Sequence, residues 1–185
     1  YPCTFDSGDV PFDYYASTVD NPVTLRDLDD FTGALSSGRG LPAVSYVKAL
    51  GFKTEHPGAS SKLSDGVKFV NDLVTEIQGS SYGPSTLVIF TYDEGGGYFD
   101  HIAPPSPSVV DSQPYGTRIP MMAIGPFAKK NYVSHVAMEH ASVVKFIEWN
   151  WLGQTTGQLN TRDKTANNIG DMLDPAKTGT AVPAN

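Results

Sequence analysis

Thr86-Leu-Val-Ile-Phe-Thr-Tyr-Asp-Glu-Gly-Gly-Gly-Tyr-Phe-Asp-His101 joins an apolar run directly to an acidic pair and three glycines. Four consecutive apolar strand formers, Leu87 to Phe90, are bounded by Gly83-Pro84-Ser85 on one side and by Gly95-Gly96-Gly97 on the other. Such a run suits a strand covered on both faces, as in a parallel sheet. In open α/β sheets the functional crevice lies beyond the carboxyl ends of the strands. Asp93 and Glu94 emerge there. Adjacent carboxylates leaving a strand diverge, so the pair can reach two metals, or one metal and its surroundings. The glycines remove three Cβ atoms, which lets backbone approach a ligand or adopt positive φ. A second arrangement uses the same residues: a Gly-rich hairpin joining Leu87–Tyr92 to Tyr98–Ile102, with both acids solvated at its tip.

Upstream of this run, the spacing predicts a strand over Leu41–Val47, a helix over Ser64–Gln78 with apolar residues Val67, Val70, Val74 and Ile77, and then the Leu87 strand. That order is a right-handed βαβ unit, and it favours the parallel reading over the hairpin. A helix over Leu25–Leu35 is expected, with Thr24 as its N-cap and Gly38 past its end. A third strand is expected over Ile119–Ile124, and a last helix begins beside His140 and runs to Trp151. The fold class is α/β with a mostly parallel sheet. At 185 residues the chain is long enough for a single domain, 1–185, whose last ten residues, 176–185, read as a flexible or surface-draped tail.

Composition limits the function. Hydrophobic residues make up 39% and charged residues 18%, which is globular usage. A net charge of −7 makes nucleic acid a poor partner, although an anionic ester can still bind where a cation dominates the local field. No stretch approaches the roughly 18 apolar residues of a transmembrane helix, so no transmembrane segment is expected. The single cysteine, Cys3, has no internal disulfide partner.

Several further pieces carry a resemblance. Tyr92-Asp-Glu-Gly-Gly-Gly-Tyr-Phe-Asp-His-Ile-Ala-Pro-Pro105 is joined, in order, by Leu41-Pro-Ala-Val-Ser-Tyr-Val47 with Glu55-His-Pro57 before it, and by Tyr115-Gly-Thr-Arg-Ile-Pro120 and Glu139-His-Ala-Ser-Val-Val-Lys-Phe-Ile-Glu148 after it. Together they resemble the phosphoesterase family of acid phosphatases and phosphatidylcholine-type phospholipases C, in the alkaline-phosphatase-like superfamily. The resemblance implies a three-layer sandwich, of which this chain is the carboxyl-terminal part. It implies hydrolysis of phosphate mono- or diesters, phospholipids included, by a metal-bound Ser or Thr nucleophile carried on an amino-terminal half. It also implies a secreted or periplasmic setting.

Residue by residue, the resemblance makes Asp93 and Glu94 metal ligands and His56 the histidine that contacts the scissile phosphate. Gly95, Gly96, Asp100 and His101 are supporting residues. Many members carry Asp-Asp where this chain has Asp93-Glu94. The cofactor implied is a divalent metal: oxygen ligands suit Ca²⁺, Mg²⁺ or Mn²⁺, and an added His would admit Zn²⁺. Arg118 offers a fork for phosphate, or a structural pairing with one of the many acids. The Pro-rich stretch from Ala103 to Tyr115 reads as a rim of the active-site mouth. The alternative function is a non-catalytic fragment that acts as a binding or interaction module.

Overall fold

A computed structural model describes residues 10–185; Cys3 and Phe5 lie outside the described residues. The chain divides into two compact units, one ending at Thr86 and the other starting at Leu87.

The first unit is helical. Helix α1 spans Leu28–Ser37 and starts later than its apolar spacing suggests, because Asp27 rather than Thr24 caps it: the Asp27 carboxylate accepts the Asp30 amide at 2.9 Å. Gly38, at φ 66°, ends it in the left-handed conformation. Helix α2, Leu63–Gly79, is one residue longer at each end than expected. Leu35 and Ile77 are buried. Gly66 on α2 is buried too, because a Cβ there would lie 2.2 Å from the Glu55 side chain. Leu41–Val47 is not a strand. Pro42 has no amide to give a ladder, and the Leu41 amide is donated to the Tyr82 hydroxyl at 3.4 Å instead.

The second unit holds the sheet. Strand β1, Val88–Thr91, pairs with β2, Met121–Ile124, and the pairing is antiparallel, from Val88 opposite Ile124 to Thr91 opposite Met121. The α/β class holds, but the expected parallel βαβ unit does not form. β1 takes β2 as its neighbour, and Leu41–Val47 supplies no strand. All four β1 residues are half-buried rather than enclosed.

Helix α3, His140–Trp151, packs on helix α4, Arg162–Thr165, and on the turn Ile169–Met172. Ala166, Ile169 and Leu173 are buried beneath them. Trp151, at the end of α3, is 46% exposed. The segment expected to be a flexible or surface-draped tail begins within helix α5, Pro175–Thr178, and its Pro183 carbonyl accepts the Gly170 amide at 3.1 Å. Only glycine fits at 170, since a Cβ would stand 2.0 Å from the Val182 carbonyl oxygen. Among the described residues, no helix is long and apolar enough to cross a membrane.

Two buried carboxylates shape the loop after α3. Glu148 accepts the Gly157 and Gln158 amides at 2.8 and 3.0 Å. Asp163, 1% exposed, accepts the Leu159 amide at 3.0 Å and both the amide and hydroxyl of Thr161 at 2.8 Å. Burial alone would raise the Asp163 pKa, but these donors together with Glu148 outweigh it and the net direction is down.

A lowered folded-state pKa gives stability that is present above the unfolded value of about 3.9 and lost as pH falls below it. Denaturant midpoints measured from neutral to acid pH should therefore drop below about pH 4 in the wild type. Asp163→Asn should be less stable at neutral pH and show a shallower acid limb. Ile169→Ala, at a fully buried site, should cost about 2–5 kcal/mol in the same assay.

Candidate functional site

β1 ends at Thr91, and the next residues form a tight acidic turn. The Asp93 carboxylate accepts the Glu94 amide at 3.0 Å, and the Glu94 carboxylate accepts the Gly96 amide at 2.6 Å. The Gly95 carbonyl accepts the Tyr98 amide at 3.1 Å. Both acidic side chains are exposed. The glycines have distinct reasons to be there. Gly96 and Gly97 sit at φ 65° and 74°, and a Cβ on Gly95 would lie 2.0 Å from Thr117 Oγ1. Residues 92–97 thus form neither a strand nor the tip of a hairpin, since β1 pairs with a strand thirty residues on.

The far side of the turn is tied to the entry of β2. Arg118 donates Nε and Nη2 to the two Asp100 oxygens, each at 2.8 Å, and its amide reaches Asp100 Oδ2 at 3.2 Å. The Arg118 fork, with help from the Ile102 amide, holds the Asp100 carboxyl far below the usual carboxylate range. Asp100 in turn raises Arg118. Of the two readings of Arg118, the structure has the pairing with an acid. His101 is 80% exposed, with Nδ1 3.9 Å from Asp100, beyond hydrogen-bond reach. An open cleft of about 360 Å³ lies beside Gly95, walled by Tyr98, Phe99, Arg118 and Pro120.

The near side is tied to α3. His140 Nε2 lies 2.9 Å from the Tyr92 carbonyl. A carbonyl only accepts, so Nε2 carries the hydrogen. The residue before it, Glu139, is the N-cap of α3 and exchanges hydrogen bonds with Ser142 in a capping box. Its carboxylate also accepts from the Tyr115 hydroxyl at 3.2 Å and from Arg162 Nη1 at 3.3 Å. Arg162 stacks over the Tyr115 ring and forks Asp111 at 2.7 and 2.9 Å. That fork, with the Gln113 amide, holds Asp111 well below its ordinary pKa. The Pro-rich stretch is therefore clamped at Asp111, and Ser108 within it is buried.

In the first unit, His56 caps the short turn Pro57–Ala59, and its Nδ1 accepts the Gly58 amide at 3.1 Å. With Nδ1 accepting, a neutral His56 carries its proton on Nε2. Its backbone is extended, at φ −66° and ψ 126°, as expected for the residue before Pro57. The structure groups Asp93, Glu94, Gly95, Gly96 and Asp100 about one turn and leaves His101 pointing to solvent. Among the described residues, no three His, Cys, Asp or Glu side chains come close enough together to hold a metal ion.

The Phosphoesterase family model matches residues 11–152. The chain belongs to the phosphoesterase family. The matched span of this phosphoesterase contains His56, Asp93, Glu94, Asp100, His101 and His140, and it stops short of Arg162. Non-hemolytic phospholipase C of Pseudomonas aeruginosa is 28% identical over 169 residues, covering 73% of this chain and 24% of its own length. Phospholipase C B of Mycobacterium tuberculosis is 28% identical over 164 residues, 77% of this chain and 30% of its own length. Non-hemolytic phospholipase C of Burkholderia pseudomallei is 30% identical over 132 residues, 58% and 19%. The phosphoesterase chain thus spans under a third of the length of these curated relatives.

Sequence reasoning left the anchoring role of His140 open and missed Arg162 altogether. The Glu139-x-x-Ser142 spacing was a legible cap signal, but Arg162 has partners 23 and 51 residues away and no local pattern announces it.

Gly95→Ala should cost about 1–3 kcal/mol in denaturant unfolding, because its methyl meets Thr117 Oγ1. Combining it with Thr117→Ala should recover a large part of that loss. Equal losses in the single and double variants would exclude the steric cause.

Proposed function

We propose that this chain contributes part of the active site of a metal-dependent phosphoesterase, of acid phosphatase or phospholipase C type, that hydrolyses phosphate mono- or diesters. The observation that carries the reading is the acidic turn after β1, tied down on both sides and lying inside the family match. The names of the relatives, phospholipases C, point to phospholipids among the substrates.

In this reading Asp93 and Glu94 are metal ligands. Two hard carboxylates fit part of a Ca²⁺, Mg²⁺ or Mn²⁺ donor set, and Zn²⁺ would call for an added His. A bound divalent cation supplies Lewis acidity, lowering the pKa of a hydroxyl nucleophile and offsetting charge on phosphate oxygens. The remaining donors and the nucleophile are proposed to lie in an amino-terminal half of the same enzyme. His56 donates from Nε2–H to a phosphate oxygen, with its ring orientation set by the Gly58 amide. Gly95 and Gly96 keep the turn compact, and Asp100 holds it through Arg118. His101 belongs to the rim.

The two units are proposed to be parts of one phosphoesterase domain, since the family match runs across residue 86, and the β1–β2 pair a portion of a larger, mostly parallel sandwich. A secreted or periplasmic setting accompanies the family resemblance. One observation favours the alternative, a non-catalytic binding module: no third His, Cys, Asp or Glu side chain joins Asp93 and Glu94 in a metal-holding group among the described residues.

The test is hydrolysis of p-nitrophenyl phosphate and of phosphatidylcholine, with and without a chelator. In the full enzyme, Asp93→Asn and Glu94→Gln should each lower kcat/KM by roughly 100-fold or more, and chelation should abolish turnover. Turnover indifferent to both substitutions and to chelation would overturn the reading. Turnover by the 185-residue chain alone would show that its nucleophile lies within it.

A further inference from the structure

We infer that His140 is a positioning residue that holds the Asp93–Gly96 turn in shape by gripping the Tyr92 carbonyl from the first turn of α3. The inference rests on the reading of Asp93 and Glu94 as cation ligands, and it names a residue that never touches the cation or the ester.

Tyr92 is the last residue before the acidic pair, so its carbonyl sets the plane of the peptide that leads into Asp93. Left to solvent, that peptide could rotate and swing both carboxylates. The His140 Nε2–H holds it at 2.9 Å across 48 residues of sequence. A strut works only if its base is fixed, and this base is. Glu139, the N-cap, is held by Ser142, Tyr115 and Arg162, and Arg162 is itself held by Asp111. On the other side the Asp100–Arg118 fork and the contact of Gly95 with Thr117 close the turn. Within that frame, the Glu94 and Gly96 amides are already engaged by the acidic side chains. The Tyr92 carbonyl also accepts the Thr91 hydroxyl at 3.4 Å, and His140 adds a shorter bond to it from another element. Groups that orient metal ligands in this way commonly tune affinity by 10–100-fold when removed.

The experiment compares wild type, His140→Ala, His140→Gln and Asp93→Asn in the full chain. Two quantities are measured: Mn²⁺ affinity by titration calorimetry, and amide exchange over residues 93–97 with 145–151 of α3 as an internal reference. His140→Ala should weaken Mn²⁺ binding by roughly tenfold or more and speed exchange at 93–97 while leaving 145–151 unchanged. His140→Gln keeps an N–H at a similar reach and should recover most of both effects. Unchanged exchange at 93–97 in His140→Ala overturns the inference, as does a Gln variant no better than Ala. If the wild type binds Mn²⁺ no better than Asp93→Asn, the cation reading of the acidic pair fails. The strut is then judged by exchange alone: faster exchange upholds it, unchanged exchange removes it.

Discussion

The acidic turn after β1 can be a site only because its two ends are fixed by groups far away in sequence. Five residues, two of them negatively charged and three of them glycine, have little reason to keep one shape. Glycine loses more conformational freedom on ordering than any other residue, and neighbouring carboxylates repel. What holds the turn is a hydrogen bond to Tyr92 on the entry side and a charge-assisted fork at Asp100 on the exit side. Charge-assisted forks are the stronger and more directional kind of polar contact, which suits a joint that must not slip.

This constraint organises much of the second unit. α3 must begin at a defined place for His140 to reach Tyr92, and its start is defined by Glu139, which serves at once as N-cap and as acceptor for Tyr115 and Arg162. Arg162 stands on α4, whose first turn also carries the buried Asp163 that collects the 159–161 backbone. The polar groups beneath α3 are accordingly well satisfied: Lys145 donates to the Ala166 carbonyl at 2.7 Å, and Glu148 accepts two amides. Among the described buried side chains only the Asn168 amide nitrogen lacks a partner. Burying so many polar groups is tolerable only when nearly all are hydrogen-bonded, and they fix loop shape more than they add stability.

Helices α1, α2 and α3 and the strands β1 and β2 were legible in the sequence because their signals are local: apolar spacing in Val70, Val74 and Ile77, the apolar run at Leu87–Phe90, and Gly38 as a stop. The acidic turn was legible for the same reason. Strand direction was not. Leu41–Val47 has strand-forming residues, but Pro42 and the Leu41–Tyr82 bond divert it, and without it β1 pairs antiparallel with β2. The Thr24 cap lost to Asp27, whose carboxylate accepts the Asp30 amide. The anchors of the turn were the least legible of all, since Asp100–Arg118 spans 18 residues, His140–Tyr92 spans 48 and Arg162–Asp111 spans 51.

The two histidines that matter here are set in opposite senses, and this separates their roles. In His56 the backbone amide of Gly58 occupies Nδ1, so the neutral ring keeps its proton on Nε2 and meets other groups as a donor. In His140 it is Nε2–H that is spent, on the Tyr92 carbonyl, and the neutral ring is left with a lone pair on Nδ1. A phosphate oxygen only accepts, so a neutral imidazole held like His56 suits it and one held like His140 does not. In the proposed reading the ring held like His56 would face an anion, and the ring held like His140 would brace the carboxylates that would hold the cation.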